Sequence, residues 1–164
     1  MRYLFIDRIK TIECNKSITA IKNVALSEDV FIDHFIGYPV MPGALQIETV
    51  AQAATALLEV SANFKIKSIL TIVEKAKFRK LVQPGDQLIV TANIISMDKE
   101  SALIDGILKV NDKTVMDGRF VFSLREADKF YPVKTRFFIE AVYDHWLDGA
   151  EFTGFTDRKE SHHE

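Results

Sequence analysis

Between Pro42 and Ser61 the sequence reads PGALQIETVAQAATALLEVS, and little of it belongs on a surface. Ala, Leu, Ile and Val dominate, and Glu48 and Glu59 carry the only charges. Length and alanine content predict a helix over 43–60 rather than a strand. A helix that is apolar nearly all round has to be enclosed by other elements, so any fold for this chain must supply a wrapping. Its polar residues include Glu48, Gln52, Thr55 and Glu59, spaced 4, 3 and 4, which puts these four on one stripe. Gln52 lies one turn beyond Glu48, within reach of holding its carboxyl by a hydrogen bond.

Strand signals flank the helix on both sides. Residues 3–9 (YLFIDRI) and 17–25 (SITAIKNVA) alternate or run apolar, and residues 28–42 form a loop punctuated by Gly37, Pro39 and Pro42. Beyond the helix, strands are predicted at 66–74, 87–96, 101–110 and 114–124. The short turns MDKE and NDK between the last three predict antiparallel neighbours, and Pro84-Gly85 breaks the chain before them. Two strands, one long helix and four strands predict an α+β hotdog fold, an antiparallel sheet wrapped around one long central helix. That domain spans residues 1–125. Residues 126–164 read as a C-terminal extension. Phe138, Val142 and Trp146 recur at i, i+4 and i+8 there and predict a short amphipathic helix, with a frayed end after it. Phe137, Phe138, Trp146 and Leu147 are costly to expose, so residues 130–148 are expected to pack on the hotdog or on a neighbouring subunit.

Of the 164 residues, 48% are hydrophobic and 27% charged, the balance of a globular chain. A net charge of −2 gives no global attraction to nucleic acid or anionic lipid. No apolar run approaches the roughly 20 residues that span a bilayer, so no membrane insertion is expected. The start MRYLFIDRIKTIE lacks the apolar core and cleavage site of a signal peptide. Cys14, the single cysteine, reads as a small half-buried residue and excludes an internal disulfide and a cysteine-pair zinc site. A cytoplasmic protein without a structural metal is the expectation.

The loop before the helix holds the chemistry. Pro42 suits the first turn of a helix and pushes Met41 toward an extended conformation. Gly43 leaves its N–H open to approach, at the positive end of the helix dipole, where a carbonyl oxygen gaining negative charge is stabilised. His34 precedes them, with the side chain best able to exchange a proton near neutral pH. Glu48 in an apolar helix suits an acid that must keep its proton. Base, carbonyl clamp and acid match removal of an α-proton beside a thioester with loss of a β-hydroxyl as water. His145, His162 and His163 sit in the tail and read as structural or solvated.

The segment HFIGYPVMPGALQIE resembles the active-site segment of the (3R)-3-hydroxyacyl-[acyl-carrier-protein] dehydratases, with the carboxylate 14 residues after the histidine. YLFIDRI, AIKNVALSEDVFIDHF and KAKFRKLVQPGDQL resemble the same family in order, over roughly residues 3–124. The resemblance implies a hotdog dehydratase with His34 as base, Glu48 as partner acid, the Gly43 N–H on the thioester carbonyl and the Val40 carbonyl orienting His34. It also implies homodimers, often assembled as trimers of dimers, with His from one subunit meeting the carboxylate of the other. No metal or cofactor is implied, and the substrate rides on the phosphopantetheine of acyl carrier protein. Glu48 fits the plain dehydratase branch, because dehydratase–isomerases usually carry Asp there. Ile36 stands where those dehydratases usually have Pro, their N-terminal helix is missing, and the tail beyond Arg125 is longer than theirs.

Lys75, Lys77, Arg79 and Lys80 form a basic run around Phe78, either a solvated strand end or a dock for an acidic carrier protein. Two other readings share the layout. A hotdog acyl thioesterase commonly uses a helix carboxylate but does not need the His34-to-Gly43 loop. A non-catalytic acyl-carrier-binding hotdog protein needs neither His34 nor Glu48.

Overall fold

A computed structural model describes residues 3–130 and 133–155. Its centre is α1, Gly43–Ser61. From Thr49 to Val60 only Gln52 and Thr55 escape burial, which is the enclosure that the apolar sequence demands. Pro42 caps the start in an extended conformation. At the other end Asn63 and Phe64 turn left-handed, and the Phe64 and Asn63 N–H groups donate to the carbonyls of Glu59 and Val60. This Schellman arrangement satisfies carbonyls that the helix end would otherwise leave open.

Seven strands wrap the helix: β1 Arg8–Glu13, β2 Ser17–Asn23, β3 Ile66–Phe78, β4 Gln87–Met97, β5 Ser101–Val110, β6 Lys113–Glu126 and β7 Glu151–Thr153. They lie in the order β3-β6-β5-β4-β2-β1-β7, antiparallel except for the β1/β7 pair. The hotdog fold read from the sequence is present. Inward residues alternate along the strands. Ile18 and Ala20 of β2, Leu88, Val90 and Ala92 of β4, Ile104 and Leu108 of β5 and Phe120 and Phe122 of β6 are fully buried with Val50, Ala53, Ala54 and Leu57 of α1. Gly106 lets helix and sheet meet, because a Cβ there would stand 2.2 Å from Val50 Cγ1. The turn between β5 and β6 has positive φ at both Asn111 and Asp112, the two-residue turn whose twist matches antiparallel strands.

Several expected boundaries move. Residues 3–7 are not a strand: Phe5 and Ile6 are buried, but ladder pairing with β2 starts at Arg8. β3 runs four residues further than expected, because Lys75–Phe78 continue pairing with Met116–Arg119 of β6. The tail packs on the body. Its helix α2, Val133–Leu147, lays Tyr143 and Trp146 into the core at 6% exposure each, and β7 extends the sheet as a strand that the sequence reading did not foresee. Phe137, expected to pack, is 70% exposed. The Phe138 side chain and His162 and His163 lie outside the described residues, as do residues 156–164, where the frayed end was expected.

Candidate active site

The loop before α1 folds around His34. A 3-10 turn at Asp29–Ile32 leads in, and the His34 N–H donates to the Val30 carbonyl at 3.2 Å. Phe35 and Tyr38 exchange backbone hydrogen bonds of 3.2 and 2.9 Å across Ile36 and Gly37, where Gly37 takes a φ of 76°. Val40 then clasps His34 twice. Its N–H donates to the His34 carbonyl at 2.9 Å, and its own carbonyl lies 2.7 Å from His34 Nδ1. A carbonyl only accepts, so Nδ1 carries the hydrogen and Nε2 is the open nitrogen of the neutral ring. The Phe35 ring stacks on the imidazole with centroids 4.2 Å apart. Met41, whose N–H donates to the Val82 carbonyl at 2.8 Å, pins the loop to the chain beyond β3.

Glu48 sits half-buried one turn into α1. Gln52 Nε2 donates to Glu48 Oε1 at 2.8 Å, so a proton carried by the acid goes to Oε2. Gln52 is itself held: its Oε1 accepts from the Phe5 N–H at 2.8 Å, and its Nε2 also reaches the Tyr3 carbonyl at 3.3 Å. The N-terminal grip on Gln52 was not foreseen, and no local pattern announces it. Gly43 is the first helical residue and has no carbonyl four residues back within the helix to receive its N–H. The Phe78 ring packs against the Gly43 α-carbon, where an added Cβ would meet Phe78 Cζ at 2.8 Å. Phe78, read from the sequence as the apolar centre of a basic run, therefore faces the helix start.

Within one chain, among the described residues, no hydrogen bond or ion pair joins His34 to Glu48. Beside His34 in the loop, Ile32, Phe35, Ile36 and Tyr38 are exposed, Ile36 at 87%. An apolar cluster of that kind on a globular surface marks a contact site.

The polar stripe on α1 divides. Glu48 and Gln52 belong to this site, whereas Glu59 at the other end is 1% exposed. Its carboxylate accepts from Lys67 Nζ at 2.7 Å, the Ser68 N–H at 3.1 Å and the Tyr143 hydroxyl at 2.7 Å. Glu59 thus fastens α2 to the helical core. His145 is exposed on α2. Among the described residues no three His, Cys, Asp or Glu side chains converge in a way that could hold a metal ion.

The basic run spans the end of the edge strand β3 and the two residues that follow it. Strand alternation sends Lys75 and Lys77 to the face opposite Ala76 and Phe78. Arg79 Nε binds Asp117 on β6, and this partner raises the Arg79 pKa above its ordinary value. Arg119 binds Asp105 through two bonds of 2.6 and 2.9 Å, which hold the Asp105 carboxyl below the usual range. Lys75, Lys77 and Lys80 are exposed, and among the described residues none has a carboxylate within ion-pair distance.

A curled sheet around a central helix, with a histidine loop leading into that helix, defines a hotdog protein. Residues 1–124 match the family model described as FabA-like domain. The chain is 39% identical over 127 residues to the 3-hydroxyacyl-[acyl-carrier-protein] dehydratase FabZ of Pediococcus pentosaceus, covering 77% of this chain and 85% of that one. It is 48% identical over 96 residues to FabZ of Wolbachia pipientis wMel, covering 58% and 67%. Among solved structures, the dehydratase heterocomplex ApeI:P of Xenorhabdus doucetiae superposes with a TM-score of 0.52 at 24% identity, over 66% of this chain and 88% of that one. The chain belongs to the FabA-like family.

Proposed function

We propose that the protein is a lyase that dehydrates 3-hydroxyacyl-[acyl-carrier-protein] to the trans-2-enoyl thioester in fatty-acid or related acyl-chain biosynthesis. The observation that carries this is the double clasp of Val40 on His34, which leaves Nε2 as the open base. His34 Nε2 takes the α-proton, and the C–H electron pair forms the new C=C bond. The Gly43 N–H steadies the charge that develops on the thioester oxygen. Glu48 Oε2 gives its proton to the β-hydroxyl as the C–O bond breaks and water leaves, with Gln52 holding Oε1. Afterwards His34 returns its proton to solvent and Glu48 regains one. The reaction is redox-neutral, two proton transfers with loss of water across the Cα–Cβ bond, and the proposed mechanism calls for no metal or cofactor.

The same proposal includes a two-fold homodimer. β3 is a sheet edge of 13 residues with Ile69, Ile72 and Val73 exposed, and the loop offers Ile32, Phe35, Ile36 and Tyr38. A long apolar edge of this sort pairs with another chain unless it is protected. A second copy across a two-fold axis covers both surfaces and brings His34 of one subunit toward Glu48 of the other. Light scattering distinguishes a dimer from a trimer of dimers. Acyl carrier protein is the partner, docked on Lys75, Lys77, Arg79 and Lys80. Asp117 already pairs Arg79, so Lys77→Glu with Lys80→Glu is the telling reversal. KM should rise for carrier-bound substrate far more than for a small thioester mimic, and equal effects would remove the dock. A cytoplasmic setting completes the proposal, supported by the lone Cys14.

Incubation with 3-hydroxybutyryl- and crotonyl-acyl carrier protein, followed by the absorbance of the conjugated thioester, tests the activity. Reversible interconversion is expected. Release of free thiol would mean a thioesterase, and no change with either substrate would mean a non-catalytic acyl-carrier-binding protein.

A further inference from the structure

We infer that Trp146, in the C-terminal extension beyond the FabA-like match, is a positioning residue for Glu48. This rests on Glu48 being the proton donor proposed above. Trp146 Nε1 donates to the Ile6 carbonyl at 2.8 Å, from a ring only 6% exposed. The adjoining backbone on the N-terminal side is the piece that grips Gln52, through the Phe5 N–H at 2.8 Å and the Tyr3 carbonyl at 3.3 Å. Gln52 in turn donates to Glu48 Oε1 at 2.8 Å. Four links therefore connect the tail indole to the carboxyl of the acid.

The grip sets the sense of the Gln52 amide. Its oxygen faces a backbone N–H, which only donates, so its nitrogen must face Glu48. Flipped, the amide would present oxygen to the carboxyl and nitrogen to the Phe5 N–H, two repulsive contacts. Residues 3–6 are not in the sheet and have no ladder pairing to fix them. Their anchors are the Asp7 N–H on the Ile21 carbonyl at 2.8 Å, the buried Phe5 and Ile6 side chains, and the indole. Without the indole N–H the Ile6 carbonyl is left in an apolar setting, and the segment shifts to find another donor. The second tail anchor, Tyr143 on Glu59, lies at the far end of α1 and does not lead to Glu48.

Trp146 is the only tryptophan in the chain, so an analogue supplied during expression changes this one site. Benzothienylalanine keeps the ring shape and replaces the N–H by sulfur. With the full-length protein, kcat for 3-hydroxybutyryl-acyl carrier protein should fall at least about fivefold while KM stays within about twofold, the pattern of a group lost to the chemical step rather than to binding. In a Gln52→Ala background the analogue should cause no further loss, because both changes break one chain of contacts. Tyr143→Phe should lower the melting temperature and leave kcat unchanged. Trp146→Phe should repeat the analogue's split between kcat and KM. Amide NMR of Gln52 should show its side-chain resonance displaced in the analogue protein. An unmoved Gln52 resonance, an unchanged kcat, or a full additional loss in Gln52→Ala protein would each overturn the relay. If the parent protein is inert toward the substrate, the dehydratase reading fails, while the Gln52 resonance still decides the relay.

Discussion

Removing the His34 imidazole leaves the Val40 clasp half made, since the backbone bond between the His34 carbonyl and the Val40 N–H survives. The loop should therefore keep its course in His34→Ala, and the loss should be chemical. Glu48→Gln keeps shape and removes the acid. Each substitution should lower dehydration by at least about 10²-fold, the scale of a lost general acid or base. The assay is the enoyl absorbance, with circular dichroism as the check on folding. Activity near the parent's in a folded His34→Ala protein would remove the mechanism. Glu59 is the contrasting carboxylate of the same helix. It is fully buried and three donors already occupy it, so it serves packing rather than turnover.

At the scale of elements, α1 meets β5 closely at Gly106, which leaves no room for a side chain. A methyl group at Gly106 would stand 2.2 Å from Val50 Cγ1 and 3.0 Å from Phe120 Cε2. Gly106→Ala should cost about 1–3 kcal/mol through overpacking, read as a lower urea midpoint. Val50→Ala should restore part of it in the double variant. The β4–β5 turn carries a pH signature. Asp98 accepts from the Glu100 and Ser101 N–H groups at 2.8 Å each and from the Ser101 hydroxyl at 3.1 Å, which hold its carboxyl below the usual range. A folded-state pKa below the unfolded one contributes stability above the unfolded pKa, and that stability is lost as pH falls through the folded value. Asp98→Ala should lower the urea midpoint at pH 7, and its deficit should shrink below about pH 4. A deficit constant with pH would mean that the charge of Asp98 does not support the turn.

For the whole molecule, the decisive question is whether one chain holds a complete site. Among the described residues no hydrogen bond or ion pair joins His34 to Glu48, and apolar side chains stand exposed on the loop and on the β3 edge. In the proposed dimer each site takes His34 from one subunit and Glu48 from the other. Mixing His34→Ala and Glu48→Gln proteins then gives, in every mixed dimer, one site with both defects and one with none. About half of the dimers are mixed after random exchange, so roughly a quarter of parental activity should return. Exchange confirmed by mass, with activity staying at the level of the single variants, would place both groups in one chain.

The sequence by itself determined the enclosed helix, the strands around it and the HFIGYPVMPGALQIE segment, because those rest on periodicity, turn residues and short spacing. Contacts that join distant parts of the chain leave no such trace. Gln52 meets Phe5 across 47 positions, Tyr143 meets Glu59 across 84, and Trp146 meets Ile6 across 140. Glu48 and Glu59 look alike on the helical stripe, and only the position of β3 and α2 decides that one is half-open and the other sealed. β7 is three residues long and fully exposed in pattern, too short for alternation to reveal, and it exists because β1 offers it an edge. Local free-energy preferences are written residue by residue, whereas burial and long-range pairing exist only once the chain has closed on itself.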